Sequence, residues 1–270
     1  MFKKVNCNHC EKSYDETFNE CPNCHAPNEN LKRRFKRIQM LSIAKQLALF
    51  LTGLAGLELL VFLVVLFLSA FDLSSVSNAK FTMIVYAIVY SLLFIILFGI
   101  INVDIKKLFK SFKRWQPYVA GICCALAIFQ FQIIYLTFLQ LCGVDFGVNA
   151  NQDAVNQSVN ALPLTSFVIL GIIGPICEEV TYRLGLFSFL KRISFWVAYP
   201  IATVVFALIH FNFSGANLVN ELINLPIYLF AGFALTFTYD RFGFAGSIIG
   251  HILNNVISIL PFVVMQGVIH

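Results

Sequence analysis

The chain has 270 residues, of which 59% are apolar and only 12% are charged, about half the charged share of a soluble domain. That composition, together with several apolar runs of about eighteen residues or more, excludes an ordinary soluble enzyme and predicts an all-α polytopic membrane protein. The formal net charge of +5 does not point to a nucleic-acid partner, because the basic residues gather in short loops where they set topology.

Residues 1–30 read as a separate small module. Cys7-Asn-His-Cys10 is followed, after a ten-residue spacer, by Cys21-Pro-Asn-Cys24, and two such knuckles can give four thiolates to one tetrahedral ion. The segment is too short to bury a core, so a metal would supply its folding free energy. The expected cofactor is a structural zinc in a ribbon, held by Cys7, Cys10, Cys21 and Cys24. A pair of disulfides fits the same spacing but is disfavoured by a cytoplasmic location. Four cysteine ligands leave no position open for chemistry there. Cys123, Cys124, Cys142 and Cys177 lie in or beside apolar runs and read as packing residues.

Residues 31–45 form a basic juxtamembrane linker. Its run Leu31-Lys-Arg-Arg-Phe-Lys-Arg37, placed just before an apolar segment, suits anionic lipid better than nucleic acid. The polar first forty residues do not resemble a cleavable signal peptide, so the first apolar run is expected to be a true span.

The transmembrane helical domain is expected over 46–270, with about seven spans at 46–70, 81–101, 117–142, 163–190, 195–212, 217–238 and 244–266. Residues 143–162 have room for an interfacial helix and Pro226 interrupts the sixth run, so an eighth helix is compatible with the pattern. Lys106, Lys107, Lys110, Lys113, Arg114, Lys191, Arg192 and Arg241 all fall on one side with the basic N-terminus. The positive-inside rule then places the ribbon in the cytoplasm of a multi-pass cell-membrane protein. An odd number of spans would put His270 outside. No internal repeat of the transporter kind is present.

The chemistry begins in the fourth run, at Gly174-Pro-Ile-Cys-Glu-Glu-Val-Thr-Tyr-Arg183. Charges at that depth cost a few kcal/mol and normally pair or face a wet cavity. Glu179 and Arg183 are four apart, on one helix face, with the acid on the favourable N-terminal side. Glu178 points about 100° away and has no local cation, which makes it a candidate base. Structural glue between helices is the bland reading of all three. Three further polar groups sit in later runs: His210, closing Phe206-Ala-Leu-Ile-His210, and His251 with Asn255 in His251-Ile-Leu-Asn-Asn255. Asn254 competes with Asn255 for the same role. At about 1.5 Å per residue, Glu178 lies roughly 20 Å from Lys191, His210 roughly 22 Å from Phe195, and His251 roughly 15 Å from Arg241. Antiparallel threading therefore brings all three to one layer near mid-membrane. Glu58 is left to pair with another span or to snorkel, and Glu221 reads as interfacial. Pro175 is expected to kink its span.

Glu178-Glu-x-x-x-Arg183, Phe206-x-x-x-His210 and His251-x-x-x-Asn255 together resemble the three motifs of the CPBP family, the CAAX protease and bacteriocin-processing (Abi) group of intramembrane endopeptidases. The resemblance covers about residues 160–260. It implies a hydrolase in which Glu178 and His210 activate water, His251 and Asn255 form an oxyanion hole, and Glu179 with Arg183 supports the helix face carrying Glu178. The implied partners are the lipid bilayer and a peptide or membrane-protein substrate. Family members are often called metalloproteases, while some are thought to work through the glutamate alone, so an active-site metal stays an open alternative. A non-catalytic bacteriocin-immunity or regulatory protein is the second functional reading, and a proton-coupled transporter the third.

Overall fold

The computed structural model describes residues 4–15, 18, 20–28, 41–213 and 218–269, which fall into two compact units, Met1–Ser42 and Ile43–His270. The basic run Leu31–Arg37 and the terminal His270 lie outside the described residues.

In the first unit, β1 (Lys4–Asn6) pairs antiparallel with β2 (Ser13–Asp15), Val5 opposite Tyr14. The two knuckles are built alike. Glu11 N–H donates to Cys7 C=O at 2.9 Å and Cys7 N–H to Lys12 C=O at 3.0 Å. His25 N–H and Cys21 N–H repeat the pattern, each at 2.9 Å, to Cys21 and Ala26 carbonyls. The residue after each second cysteine takes a left-handed conformation, Glu11 at φ 57° and His25 at φ 56°. These tight turns aim the thiols inward, and all four Sγ atoms lie within 4.8 Å of one another. All four cysteines are free thiols.

The second unit is helical: α1 (Ile43–Leu68), α2 (Asn78–Ile101), α3 (Gln116–Leu141), α4 (Ala150–Ala161), α5 (Pro163–Leu190), α6 (Phe195–Leu208), α7 (Leu218–Phe242) and α8 (Phe244–Ile269). Among the described residues six helices are long and apolar enough to cross a membrane: α1, α2, α3, α5, α7, and α8 through its Phe244–Pro261 stretch. The seventh expected span is different. With 14 residues, α6 reaches only about 21 Å at 1.5 Å per residue, short of the roughly 30 Å hydrocarbon core. It is a shorter apolar helix, and His210 sits in the turn after it. The extra helix for which 143–162 had room is α4, too short and polar to cross. Asn149 caps α4 by accepting from Gln152 N–H at 3.0 Å, and Gly243, at φ 86°, turns α7 into α8.

Small residues set the closest crossings, as expected where van der Waals contact replaces the hydrophobic effect. On α8, Gly246 and Gly250 form a GxxxG step against α3. A Cβ on Gly121 of α3 would lie 2.8 Å from the Gly246 carbonyl oxygen. Between α1 and α5, a Cβ on Gly185 would lie 2.8 Å from Phe50 N and 3.1 Å from Gln46 O. Loop ends are tied by ion pairs, Lys45 with Asp104 at 2.7 Å and Lys191 with Asp240, whose other oxygen accepts from Tyr199 Oη–H at 3.0 Å.

Because the added atom at position 185 would meet backbone, Gly185→Ala should destabilise the protein by about 1–3 kcal/mol. Gly99, with nothing within 4 Å of its Cβ position, serves as the control. Thermal unfolding in detergent micelles should place Gly185→Ala below the wild type and Gly99→Ala at or slightly above it, through helix propensity.

Candidate active site

The span α5 is not one uniform α-helix. Its turns widen to π geometry over Ile169–Ile173 and Glu179–Phe187, with a short α segment, Gly174–Glu178, between them. Gly174 N–H reaches the Ile169 carbonyl, five residues back, and Ser188 N–H reaches that of Arg183 in the same way. Pro175 has no N–H to give the ladder, and its position between the two π stretches replaces the expected simple kink with a change of winding. Within this stretch the two adjacent carboxylates separate. Glu178 faces a cavity, whereas Glu179 is completely buried.

Glu179 Oε1 lies 3.1 Å from Arg183 Nη1, both side chains fully buried, as the four-residue spacing predicted. The same oxygen accepts from His251 Nδ1 of α8 at 2.9 Å, a contact between residues 72 apart that no local spacing announces. Arg183 lies over the Phe206 ring of α6, 4.3 Å from its centroid, and its Nη2 donates to the Gly232 carbonyl of α7 at 3.5 Å. The Phe206 carbonyl oxygen in turn takes His210 Nδ1 at 2.9 Å. Tyr228 stacks on the outer face of His210, with centroids 4.8 Å apart and planes at 18°. Each imidazole is thus fixed through Nδ1, and in each case the partner can only accept. Both Nδ1 atoms therefore carry hydrogen, and in the neutral rings both Nε2 atoms present a lone pair.

Both Nε2 atoms approach one oxygen. Glu178 Oε2 lies 3.7 Å from His251 Nε2 and 4.0 Å from His210 Nε2. It is buried without a hydrogen-bond partner among the described residues. Three acceptors facing one point repel unless a proton, a hydrogen-bonding water or a cation lies between them. The site is reachable, since Glu178 keeps 19% and His210 15% of their side-chain surface. Both line a cavity of about 500 Å³, the size of a small-ligand or short-peptide site.

Asn255, one α-helical turn beyond His251, lines the same cavity. Its Nδ2 donates to the Leu170 carbonyl at 3.0 Å, on the first π stretch of α5, which leaves one amide hydrogen uncommitted. Asn254 also lines the cavity and donates to Asn255 Oδ1 at 3.4 Å. Six expected residues, Glu178, Glu179, Arg183, His210, His251 and Asn255, thus surround one polar layer. Cys7, Cys10, Cys21 and Cys24 belong to the separate ribbon unit.

Two residues of the site were not foreseen. Tyr228, besides stacking on His210, accepts from Asn151 Nδ2 and donates to Asn149 Oδ1, each at 3.2 Å. Glu221, expected at the interface, is buried. Its carboxylate accepts from Ala150 N–H at 2.7 Å and from Asn212 N–H at 3.1 Å. It ties the start of α4 to the irregular turn that carries His210, and satisfies backbone that lipid could not. A glutamate at the polar end of an apolar run gives no hint of this, because both its partners are backbone groups distant in sequence or across a turn.

Residues 160–257 match the family described as Type II CAAX prenyl endopeptidase Rce1-like, a segment that holds every intramembrane candidate residue. The chain is also 30% identical over 100 residues to the Bacillus subtilis (strain 168) protein named "Putative membrane peptidase YdiL". That similarity covers 36% of this chain and spans 37% of the length of the curated relative. No solved structure matches the chain. The chain is therefore a multi-pass helical membrane protein with a segment similar to Rce1-like CAAX prenyl endopeptidases.

Removing Arg183 leaves the fully buried Glu179 without its cation, and breaking a buried pair in this way costs about 3–5 kcal/mol. Arg183→Leu should therefore unfold at markedly lower temperature than the wild type. The Glu179→Gln, Arg183→Leu double variant, which buries no unpaired charge at either position, should recover part of the loss when melted in the same detergent.

Proposed function

We propose that this chain is an intramembrane endopeptidase that hydrolyses a peptide bond of a membrane-associated peptide or protein. The observation that carries the reading is the convergence of His210 and His251 on the unpartnered Glu178 oxygen inside a polar cavity. The similarity of the same segment to CAAX prenyl endopeptidases and to a membrane peptidase supports it.

In this reading, a water lies between Glu178 and His210. Glu178 takes a proton from it as the water oxygen attacks the scissile carbonyl carbon, and later passes that proton to the leaving amine. His210 is held by the Phe206 carbonyl and by Tyr228, so its Nε2 can accept the second water hydrogen and orient the attack. To stabilise the oxyanion, His251 must carry hydrogen on both nitrogens, Nδ1–H on Glu179 and Nε2–H toward the substrate. The free amide hydrogen of Asn255 is the second oxyanion donor. Glu179 and Arg183 act at one remove, by fixing the His251 ring. Glu178, His210 and His251 are also one oxygen and two nitrogen donors of the kind that hold zinc. A divalent ion there would supply Lewis acidity to the substrate carbonyl or to bound water.

The ribbon suits a structural zinc. Tetrahedral Zn–S bonds of about 2.3 Å put sulfurs roughly 3.8 Å apart, and Cys7–Cys24 and Cys10–Cys21 already stand at 3.5 and 3.6 Å. The Lys12 backbone N–H lowers the Cys10 thiol to about 6, and the His9 backbone N–H lowers Cys7. A cytoplasmic N-terminus and a cell-membrane location complete the proposal.

Purified protein in nanodiscs, assayed against a library of quenched fluorescent peptides, tests the central step. Glu178→Gln should lose about a hundred- to ten-thousandfold in kcat, and His251→Ala or Asn255→Ala about a hundred- to thousandfold. Equal turnover by wild type and Glu178→Gln would remove the proposed base.

Elemental analysis should find one zinc per chain, absent when Cys7 and Cys10 are both replaced by Ser. Two zinc per chain falling to one in His210→Ala would identify a metal at the membrane site.

A further inference from the structure

Hydrolysis consumes one water per turnover, and a peptide lying in the main cavity stands between Glu178 and any water on that side. A second cavity meets the same carboxylate. It has a volume of about 150 Å³, room for several waters at roughly 30 Å³ each. Its walls come mainly from α1 (Gly53, Leu57, Glu58) and α5 (Glu178, Thr181, Tyr182), with Tyr90 of α2, Asn151 of α4 and His210 completing them. Tyr90, Asn151, Glu178 and His210 border both spaces, whereas no α1 residue lines the larger one.

Glu58 is the feature that gives the smaller space a chemical character. It is an exposed carboxylate within an apolar span and has no ion-pair partner among the described residues. A charge so placed is costly in a bilayer unless water reaches it. A hydrated mouth removes that cost. Gly53 sets the geometry of the passage. Its missing Cβ, which would fall 1.8 Å from Thr181 Oγ1, lets α1 and α5 cross closely beside it, and the Thr181 hydroxyl is turned onto the Cys177 carbonyl at 2.8 Å.

We infer that the cavity between α1 and α5 is a water inlet, separate from the substrate cavity, through which the attacking water reaches Glu178, with Glu58 hydrating its mouth. The inference rests on the hydrolase reading. The water oxygen adds to the scissile carbonyl carbon. Its proton passes to Glu178 and then to the amine nitrogen as the C–N bond breaks. A second water refills the inlet, and Glu58 undergoes no net change.

The experiment compares kcat and KM for the wild type, Glu58→Leu, Glu58→Gln, Leu57→Phe and the control Leu59→Phe, all in nanodiscs with the same peptide. Leu59 is 57% exposed on the same helix and does not line the inlet. Drying the mouth with Glu58→Leu, or narrowing the passage with Leu57→Phe, should lower kcat about tenfold at unchanged KM and unchanged melting temperature. Glu58→Gln, which still binds water, should stay within about threefold of wild type, and Leu59→Phe should match it. An active, Glu178-dependent wild type whose kcat survives both inlet substitutions would overturn the inlet alone. So would an equal loss in Leu59→Phe, since the effect would then belong to the helix. A wild type without Glu178-dependent cleavage overturns the hydrolase reading and the inlet with it.

Discussion

The buried pair of Glu179 and Arg183 is the constraint around which the membrane domain is assembled. Two opposite charges completely removed from solvent and 3.1 Å apart gain little net stability, because desolvation consumes most of their attraction. What they contribute is position. Glu179 holds His251 of α8, and Arg183 holds the Phe206 ring of α6 and the Gly232 carbonyl of α7. Phe206 then holds His210 through its carbonyl. One ion pair thus orients both imidazoles from the side away from the cavity, leaving the Nε2 atoms and the Glu178 carboxylate to face each other.

Two irregularities in the backbone make that arrangement possible. The π winding on either side of Gly174–Glu178 lets neighbouring glutamates serve different partners, one in the cavity and one in the core. The early end of α6 places His210 on a turn instead of a helix face. A broken helix inside a membrane domain needs its backbone groups answered by protein, and Glu221 answers Asn212 while also fixing α4 through Ala150. Asn149 and Asn151, at the start of α4, then reach Tyr228 and through it the outer face of His210. The cavity wall and the catalytic candidate are in this way parts of one hydrogen-bonded unit.

Local spacing and apolar run length are legible in the sequence, and what they determine was readable. The pairing of Glu179 with Arg183 follows from four-residue spacing, the spans from their hydropathy, and the ribbon from two CxxC knuckles. Even the common layer of Glu178, His210 and His251 could be reached by counting residues from the loops. The bond from His251 to Glu179 could not, because it depends on how α8 rotates against α5, which the GxxxG contact of α8 with α3 helps to fix. The shortness of α6 was also hidden, since apolar residues continue through Ile209 and Phe211 after the helix has stopped. Glu221 misled for a related reason. Its burial depends on backbone donors, and backbone donors leave no trace in residue identity.

The central claim is that Glu178 and the two imidazoles enclose a single point inside the membrane domain. A side-chain-resolved experimental map of the protein in a lipid nanodisc tests it most directly. The account predicts both Nε2 atoms within about 4 Å of the Glu178 carboxylate, as here, with one water or cation density touching all three. A Glu178 carboxylate directed into acyl chains, or either ring turned so that its Nε2 faces away, would contradict it.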